Sequence, residues 1–185
     1  MSIEDIFKAI LAHMLKGLMT HEQLANYYDF LGLQGYKKCH EYHFYEENKC
    51  YRNFYHYFIK RYNKLLPELN FENPNVIPMN WYNYTRQDVD PKTKRAAVEQ
   101  GLNAWVNWEK ETLDLYQRMY QNLMSLGEVA AANELCKIIK EVEEELQTAE
   151  KYQLNKIAVN YDITVIIDEQ KPYHKKYKKK IQGGD

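Results

Sequence analysis

Residues that could bind a metal ion interrupt the apolar stripe of a predicted helix near the middle of the first half of the chain. At about 100° per residue, this stripe carries four such side chains toward the core: His43, Glu46, Glu47 and Cys50. A second predicted helix carries Glu109 inward, flanked by tryptophans. A buried carboxylate is costly unless it is paired, hydrogen-bonded or bound to a metal. Inward carboxylates from several helices, joined by an imidazole, can hold iron or manganese, so Glu47 and Glu109 are predicted ligands.

The other two predicted helices contribute less to such a site. An acidic run near the chain's last third faces mostly outward, and Glu145 lies closest to its core side. The first helix turns Met14 and His21 inward but no carboxylate, and His21 fits a hydrogen-bonded core histidine. The alternative is a core lined by tyrosines whose phenols hydrogen-bond these polar groups, with no metal at all.

Composition limits the class of protein. The chain has 185 residues, 45% hydrophobic and 28% charged, with 7 glycines and 5 prolines, which predicts one folded domain and excludes a disordered or collagenous chain. No apolar run reaches the ~18–20 residues of a membrane span, so no membrane partner is expected. An acidic start at Glu4 and Asp5 differs from a secretory signal, and three cysteines do not make a disulfide scaffold. We therefore expect a cytoplasmic protein.

Charge is distributed unevenly along the chain. The net charge is −1, but residues 171–185 contain six lysines and one aspartate, which leaves residues 1–170 at −6. The run Lys171–Lys180 is thus a basic tail on an acidic body. It could bind nucleic acid non-specifically through phosphates, or remain a solvated end.

Four long helices are predicted from apolar periodicity and capping signals, with a break left open near Gly17. They span residues 3–32, 34–66, 91–126 and 128–157. A proline-containing connection over residues 67–91 separates the second helix from the third and is expected to contain a turn or two. The β-branched run at 161–168 predicts a strand or an extended arm. The predicted fold is all-α, with an antiparallel four-helix bundle over 1–158 and an extended arm and Lys-rich tail over 159–185.

The junction between the first two helices resembles that of ferritins. It reads Tyr27-Tyr28-Asp29, then two residues, then Gly32-Leu33-Gln34-Gly35-Tyr36. The resemblance implies a ferritin-like bundle with one long crossover and places Glu47 and Cys50 on the family's Glu-x-x-His motif, with cysteine replacing histidine. It also implies metal-ligand roles for Glu109 and for a fourth-helix glutamate. There the family's Glu-x-x-Gln spelling matches Glu144-x-x-Gln147, while periodicity favours Glu145. The family's first-helix glutamate falls on Met14, which cannot bridge metal ions.

Two functions remain open at this point. The first is a divergent ferritin-like protein that binds iron, or manganese, with weak or lost ferroxidase activity. The second is a non-catalytic, homo-oligomeric scaffold with a basic tail and no cofactor. A second aromatic stripe on the second helix favours an oligomer, because tyrosine is common at interfaces: Phe44, Tyr51, Tyr55 and Tyr62.

Overall fold

A computed structural model describes residues 1–77, 81 and 83–182. Residues 78–80 and 82 of the predicted connection and 183–185 of the predicted tail lie outside the described residues. The described part contains no strand, so the all-α prediction is confirmed. It forms five α-helices: α1 (Ile3–Phe30), α2 (Gln34–Tyr62), α3 (Pro91–Ser125), α4 (Val129–Ala158) and α5 (Ile163–Ile181).

Local signals set most helix ends. Ser2 and Asp5 form a reciprocal capping box at the start of α1. Asp90 caps α3, with Pro91 at its first helical position. Gly127 adopts a φ of 75°, which turns α3 directly into α4. α2 ends four residues earlier than predicted, because Asn63 takes the left-handed conformation.

α1 continues unbroken through Gly17. A Cβ at this position would lie 3.0 Å from Glu47 Oε1 and 3.2 Å from the Trp108 ring. Gly17 therefore makes room for side chains from α2 and α3 and does not mark a break.

The first four helices pack as two antiparallel pairs. The Phe7 ring near the start of α1 lies 4.9 Å from the Phe58 ring near the end of α2, between centroids. Lys110 of α3 is ion-paired with Glu150 of α4 at 3.1 Å, and Asn103, earlier in α3, accepts a hydrogen bond from Gln153, later in α4.

α1 also runs antiparallel to α3. His13 Nε2, in the first half of α1, lies 2.8 Å from Thr112 Oγ1 in the second half of α3. Tyr27, near the end of α1, donates a hydrogen bond to the Ala97 carbonyl near the start of α3.

The connection between α2 and α3 lies along the outside of the helices. Gln23 of α1 bonds it twice, donating to the Pro74 carbonyl and accepting from the Val76 amide. Trp81 packs edge-on against Tyr27. A 3₁₀ turn at Arg86–Asp88 confirms the turn expected within this segment.

The extended arm predicted at 161–168 is wrong, because this segment begins α5. Asp162 caps the helix by accepting from the amides of Thr164 and Val165. Ile166, Gln170 and Tyr177 are buried at helical spacing against the rest of the protein. Burial of this face outweighs the strand preference of the β-branched run.

α5 runs parallel to α2 and also contacts α4. Gly35 of α2 donates its amide hydrogen to Gln170 Oε1 at 2.9 Å, and Lys156 of α4 is ion-paired with Glu169. The basic segment Lys171–Lys180 is therefore an ordered helix packed on the bundle and not a free tail.

Candidate functional site

A layer of buried histidines and carboxyl groups separates two apolar clusters. Large apolar side chains such as Tyr28, Tyr36 and Leu102 form one cluster, and Phe7, Phe54 and others form the second. Between them lie the residues that we call the polar layer: His21, His40, His43, Glu47, Glu109 and Glu145.

Two fully buried histidines face each other across α1 and α2. His21 Nδ1 and His40 Nδ1 are 3.1 Å apart, so one ring donates a hydrogen bond to the other. Trp105 packs its edge against His40, at 4.8 Å between ring centroids. Burial, together with the neighbouring imidazole of His43, lowers the pKa of both His21 and His40 well below the usual value. Both rings are therefore neutral at physiological pH, and the ring that donates from Nδ1 keeps a lone pair on Nε2 that could bind a metal ion.

Glu109 of α3 is 1% exposed and lies in the centre of the layer. Its Oε1 accepts a hydrogen bond from Trp105 Nε1 at 2.9 Å and lies 3.8 Å from His21 Nε2. Burial, with the nearby Glu145 carboxylate, raises the pKa of Glu109 well above its usual value. The protonated, neutral form of Glu109 is therefore favoured relative to an exposed glutamate.

Glu47 of α2 approaches the layer from beside Gly17. Burial and the Glu145 carboxylate raise the pKa of Glu47 to about 8. A cation that binds Glu47 at neutral pH would therefore displace a proton.

His43 and Glu145 form an ion pair between α2 and α4, with 3.1 Å between His43 Nδ1 and Glu145 Oε1. Burial by itself lowers the pKa of His43, but the neighbouring Glu145 carboxylate outweighs it and raises the pKa well above the usual value. The His43 ring also lies 6.4 Å from the Tyr177 ring of α5, between centroids.

Three imidazole nitrogens in the layer lack a hydrogen-bond partner among the described residues. They are the Nε2 atoms of His21, His40 and His43. Buried polar atoms are normally paired, and an unpaired one costs about 1–3 kcal/mol. These three nitrogens are therefore the atoms of the layer at which a further group could bind.

The structure brings four of the six predicted ligands together and separates the other two. Glu47, Glu109, Glu145 and His43 meet in the layer. Glu46 instead lies near the surface, 3.6 Å from Lys49. Cys50 packs against the second apolar cluster, where burial and the neighbouring Glu47 raise the pKa of its thiol.

The sequence-based prediction did not include His40 in the layer, and it described His21 only as a hydrogen-bonded core histidine. His40 lies three residues before His43 and seven before Glu47, a spacing that places all three on neighbouring positions of one helix face. That spacing was the available signal. His21 is hydrogen-bonded, as expected for a core histidine, but only through Nδ1.

α1, all of whose residues are described, buries no carboxyl group. Met14 is fully buried with the second apolar cluster. α1 contributes only two things to the layer: the His21 side chain and, beside Gly17, the space that the Glu47 carboxyl group occupies.

The donor types suit a metal ion, but the described side chains do not already surround a common point. No group of three or more histidine, cysteine, aspartate or glutamate residues among them is arranged to hold an ion. His21 is instead hydrogen-bonded to His40, and His43 to Glu145. Binding of an ion would require these side chains to turn.

Comparisons with protein-family models, with curated proteins and with solved structures found no match to this chain. Among the described residues, no helix combines the length and the apolar character that crossing a bilayer requires.

The polar layer makes the stability of the metal-free protein depend on pH. Between about pH 4.5 and about pH 8, folded Glu47 holds a proton that the unfolded chain has released, so its contribution to stability falls as pH rises, and the raised pKa values of Glu109 and His43 act in the same direction. Below about pH 6.5, the unfolded chain protonates three histidines whose pKa values are lowered in the folded protein, which makes stability fall as pH drops: His13, His21 and His40.

We expect the free energy of unfolding in EDTA to be greatest near pH 6.5. Each proton by which the folded and unfolded states differ changes this free energy by up to about 1.4 kcal/mol per pH unit. Urea unfolding across this range measures it. Glu47→Gln should flatten the decline on the alkaline side, whereas Glu111→Gln, on the exposed face of α3, should not. A stability that keeps rising toward pH 8 would show that the buried carboxyls are ionised.

Proposed function

We propose that this protein is a divergent ferritin-like metal-binding protein that holds one divalent ion, iron or manganese, in its polar layer. The observation that carries the proposal is the set of three buried, unpartnered imidazole nitrogens beside three carboxyl groups from three helices. Imidazole and carboxylate together suit such ions. Buried groups of this kind require a partner, and a cation would satisfy them.

The helix directions support the ferritin-like part of this proposal. α1 and α2 form one antiparallel pair, α3 and α4 form the other, and a long connection carries the chain between the pairs. This order, with one long crossover, is typical of ferritin-like bundles. α5 would then be an addition that covers α2.

The ligand set supports one ion and not two. Glu47, Glu109 and Glu145 are the carboxyl ligands that we propose, with His43 and His21 completing the set. Two divalent ions held close together need more negative charge than this, and α1 supplies no carboxylate. We therefore infer slow or absent ferroxidase turnover. That reaction is the oxidation of a bound iron ion from Fe(II) to Fe(III), with dioxygen or peroxide taking the electron.

Metal content tests this function directly. Protein purified without chelator should contain iron or manganese in near-stoichiometric amount by elemental analysis, and Glu109→Gln should contain little. A metal-free protein that also remains metal-free after incubation with Fe(II) or Mn(II) would remove the proposal.

The alternative function is a metal-free homo-oligomeric scaffold. Phe44 remains partly exposed on α2 and supports it. Tyr51, Tyr55 and Tyr62, in contrast, pack against the second apolar cluster within the same chain. A metal-free dimer in light scattering that is disrupted by Phe44→Glu would favour this alternative.

A second candidate activity is binding of nucleic acid by α5. Four exposed lysines follow helical spacing on the face opposite the buried Ile166 and Tyr177: Lys171, Lys175, Lys178 and Lys179. An ordered row of cations can contact phosphates, although it reads no base sequence.

We expect weak, sequence-independent binding of duplex DNA whose affinity falls steeply between about 50 and 200 mM salt. Replacing the four lysines with alanine should reduce the slope of log affinity against log salt by about 0.9 per lost phosphate contact. Fluorescence anisotropy measures this. The matched control replaces four exposed lysines on other helices: Lys60, Lys92, Lys137 and Lys140. Equal weakening by both sets would exclude α5 as the binding face.

A further inference from the structure

A groove between α2 and α4 leads from the surface to the polar layer. Its inner wall includes His43 and Glu145, which belong to the layer. His43 is only 5% exposed and its Nε2 has no partner among the described residues. The groove therefore ends at this buried imidazole nitrogen, which would bind a cation once His43 releases its proton.

Negative charge is concentrated along this groove. Glu46, Glu141 and Glu144 line it together with Glu145. Burial, Glu145 and Glu46 all raise the pKa of Glu141, so the carboxylates repel one another where they stand. A cation in the groove would relieve that repulsion.

The outer end of α5 covers the same groove. Tyr177 lies in its wall, 6.4 Å from the His43 ring between centroids. Lys176 and Lys180 also line it, and the Lys180 ammonium sits 4.6 Å from the centre of the Tyr42 ring. These two lysines place positive charge where a metal cation would pass.

From these observations we propose that the groove is the route by which a divalent cation reaches the polar layer, and that α5 acts as a cover that slows its passage. The inference rests on the proposed function, because it assigns a route to the same site. Glu141 and Glu144 attract the ion, and Glu145 passes it to His43 at the inner wall. Lys176 and Lys180 oppose it electrostatically while α5 is docked.

The rate of metal loading tests the route separately from the existence of the site. Co(II) is mixed with the metal-free full chain in a stopped-flow instrument, and quenching of tryptophan fluorescence is followed, since Trp105 lies in contact with the layer. The equilibrium amount of bound Co(II) is measured in parallel by dialysis. The two readouts distinguish a missing route from a missing site.

We expect the Glu141→Gln, Glu144→Gln double variant to load at least about threefold more slowly at low salt, because the steering charges are removed. The Lys176→Gln, Lys180→Gln double variant should load faster by a similar factor. Both should keep the wild-type amount of bound metal. Glu111→Gln, on α3 beside a different cleft, is the matched control and should load at the wild-type rate.

Two results would overturn the inference in different ways. If wild-type protein binds Co(II) but neither double variant changes the rate relative to Glu111→Gln, the route is wrong and the metal site stands. If wild-type protein binds no Co(II), Fe(II) or Mn(II) at equilibrium, the proposed function fails and the route fails with it.

Discussion

Anaerobic titration with Fe(II) is expected to saturate near one ion per chain and to lose that binding in Glu109→Gln. Glu109 is the most deeply buried carboxyl of the polar layer, at 1% exposure. The glutamine keeps the shape of the side chain and its bond from Trp105 but cannot supply the negative charge that offsets a divalent ion. Removing one partner of a buried charged pair costs about 3–5 kcal/mol. We therefore expect the affinity of Glu109→Gln for Fe(II) to be at least about a hundredfold weaker.

The pH dependence of this titration gives a second signature. Because burial raises the pKa of Glu47 to about 8 and that of Glu109 well above its usual value, the ion competes with protons for these carboxyls. The affinity for the ion should therefore rise from about pH 6 to about pH 8, with release of protons to solution. A pH-indicator dye measures the release. Glu111→Gln is the control and should bind and release protons like the wild type. Two tight ions per chain with rapid oxygen consumption would overturn the single-ion proposal.

Gly35→Ala is expected to displace α5 from the bundle. A Cβ at Gly35 would lie 2.4 Å from the Gln170 carbonyl oxygen and 2.7 Å from the Gln170 Cβ. A backbone carbonyl inside a helix cannot move aside as the tip of a side chain can. Alanine is otherwise favourable within a helix, so α2 itself should remain intact.

We expect this substitution to lower the free energy of unfolding by about 1–3 kcal/mol, the usual effect of overpacking. Amide hydrogens of α5 should exchange much faster, and the segment after Asp162 should become sensitive to protease. Gln170→Ala is the comparison variant, because it removes the hydrogen bond to the Gly35 amide without adding a clash and should have a smaller effect. Unchanged protection of α5 in Gly35→Ala would show that α5 does not pack against Gly35.

Local rules in the sequence determined the starts of α1 and α3 and the turn from α3 into α4. Ser2 with Asp5, Asp90 with Pro91, and Gly127 each act on the backbone within one turn, so their effect does not depend on the rest of the fold. The inward direction of Glu47 and Glu109 also followed from helical periodicity, because both residues lie in long, regular helices. The inward direction of a carboxyl group can therefore be predicted from the sequence of a single helix.

Only the tertiary structure decided between neighbouring candidates in the site. Glu46 and Glu47 differ by 100° on α2, and the space above Gly17 on α1 admits the Glu47 carboxyl. His40 and His21 belong to the layer because α1 and α2 place their rings 3.1 Å apart between Nδ1 atoms. No single helix contains that information.

The C-terminal segment depended most on the tertiary structure. Residues 163–167 prefer a strand locally, and Lys171–Lys180 looked like a solvated tail. Their helical form results from burying Ile166, Gln170 and Tyr177 against α2 and α4. Intrinsic propensities differ by less than about 1 kcal/mol per residue, whereas fully burying one large apolar side chain contributes about 1.5–3 kcal/mol. The surface available for burial therefore decides the conformation, and that surface exists only once the other helices have assembled.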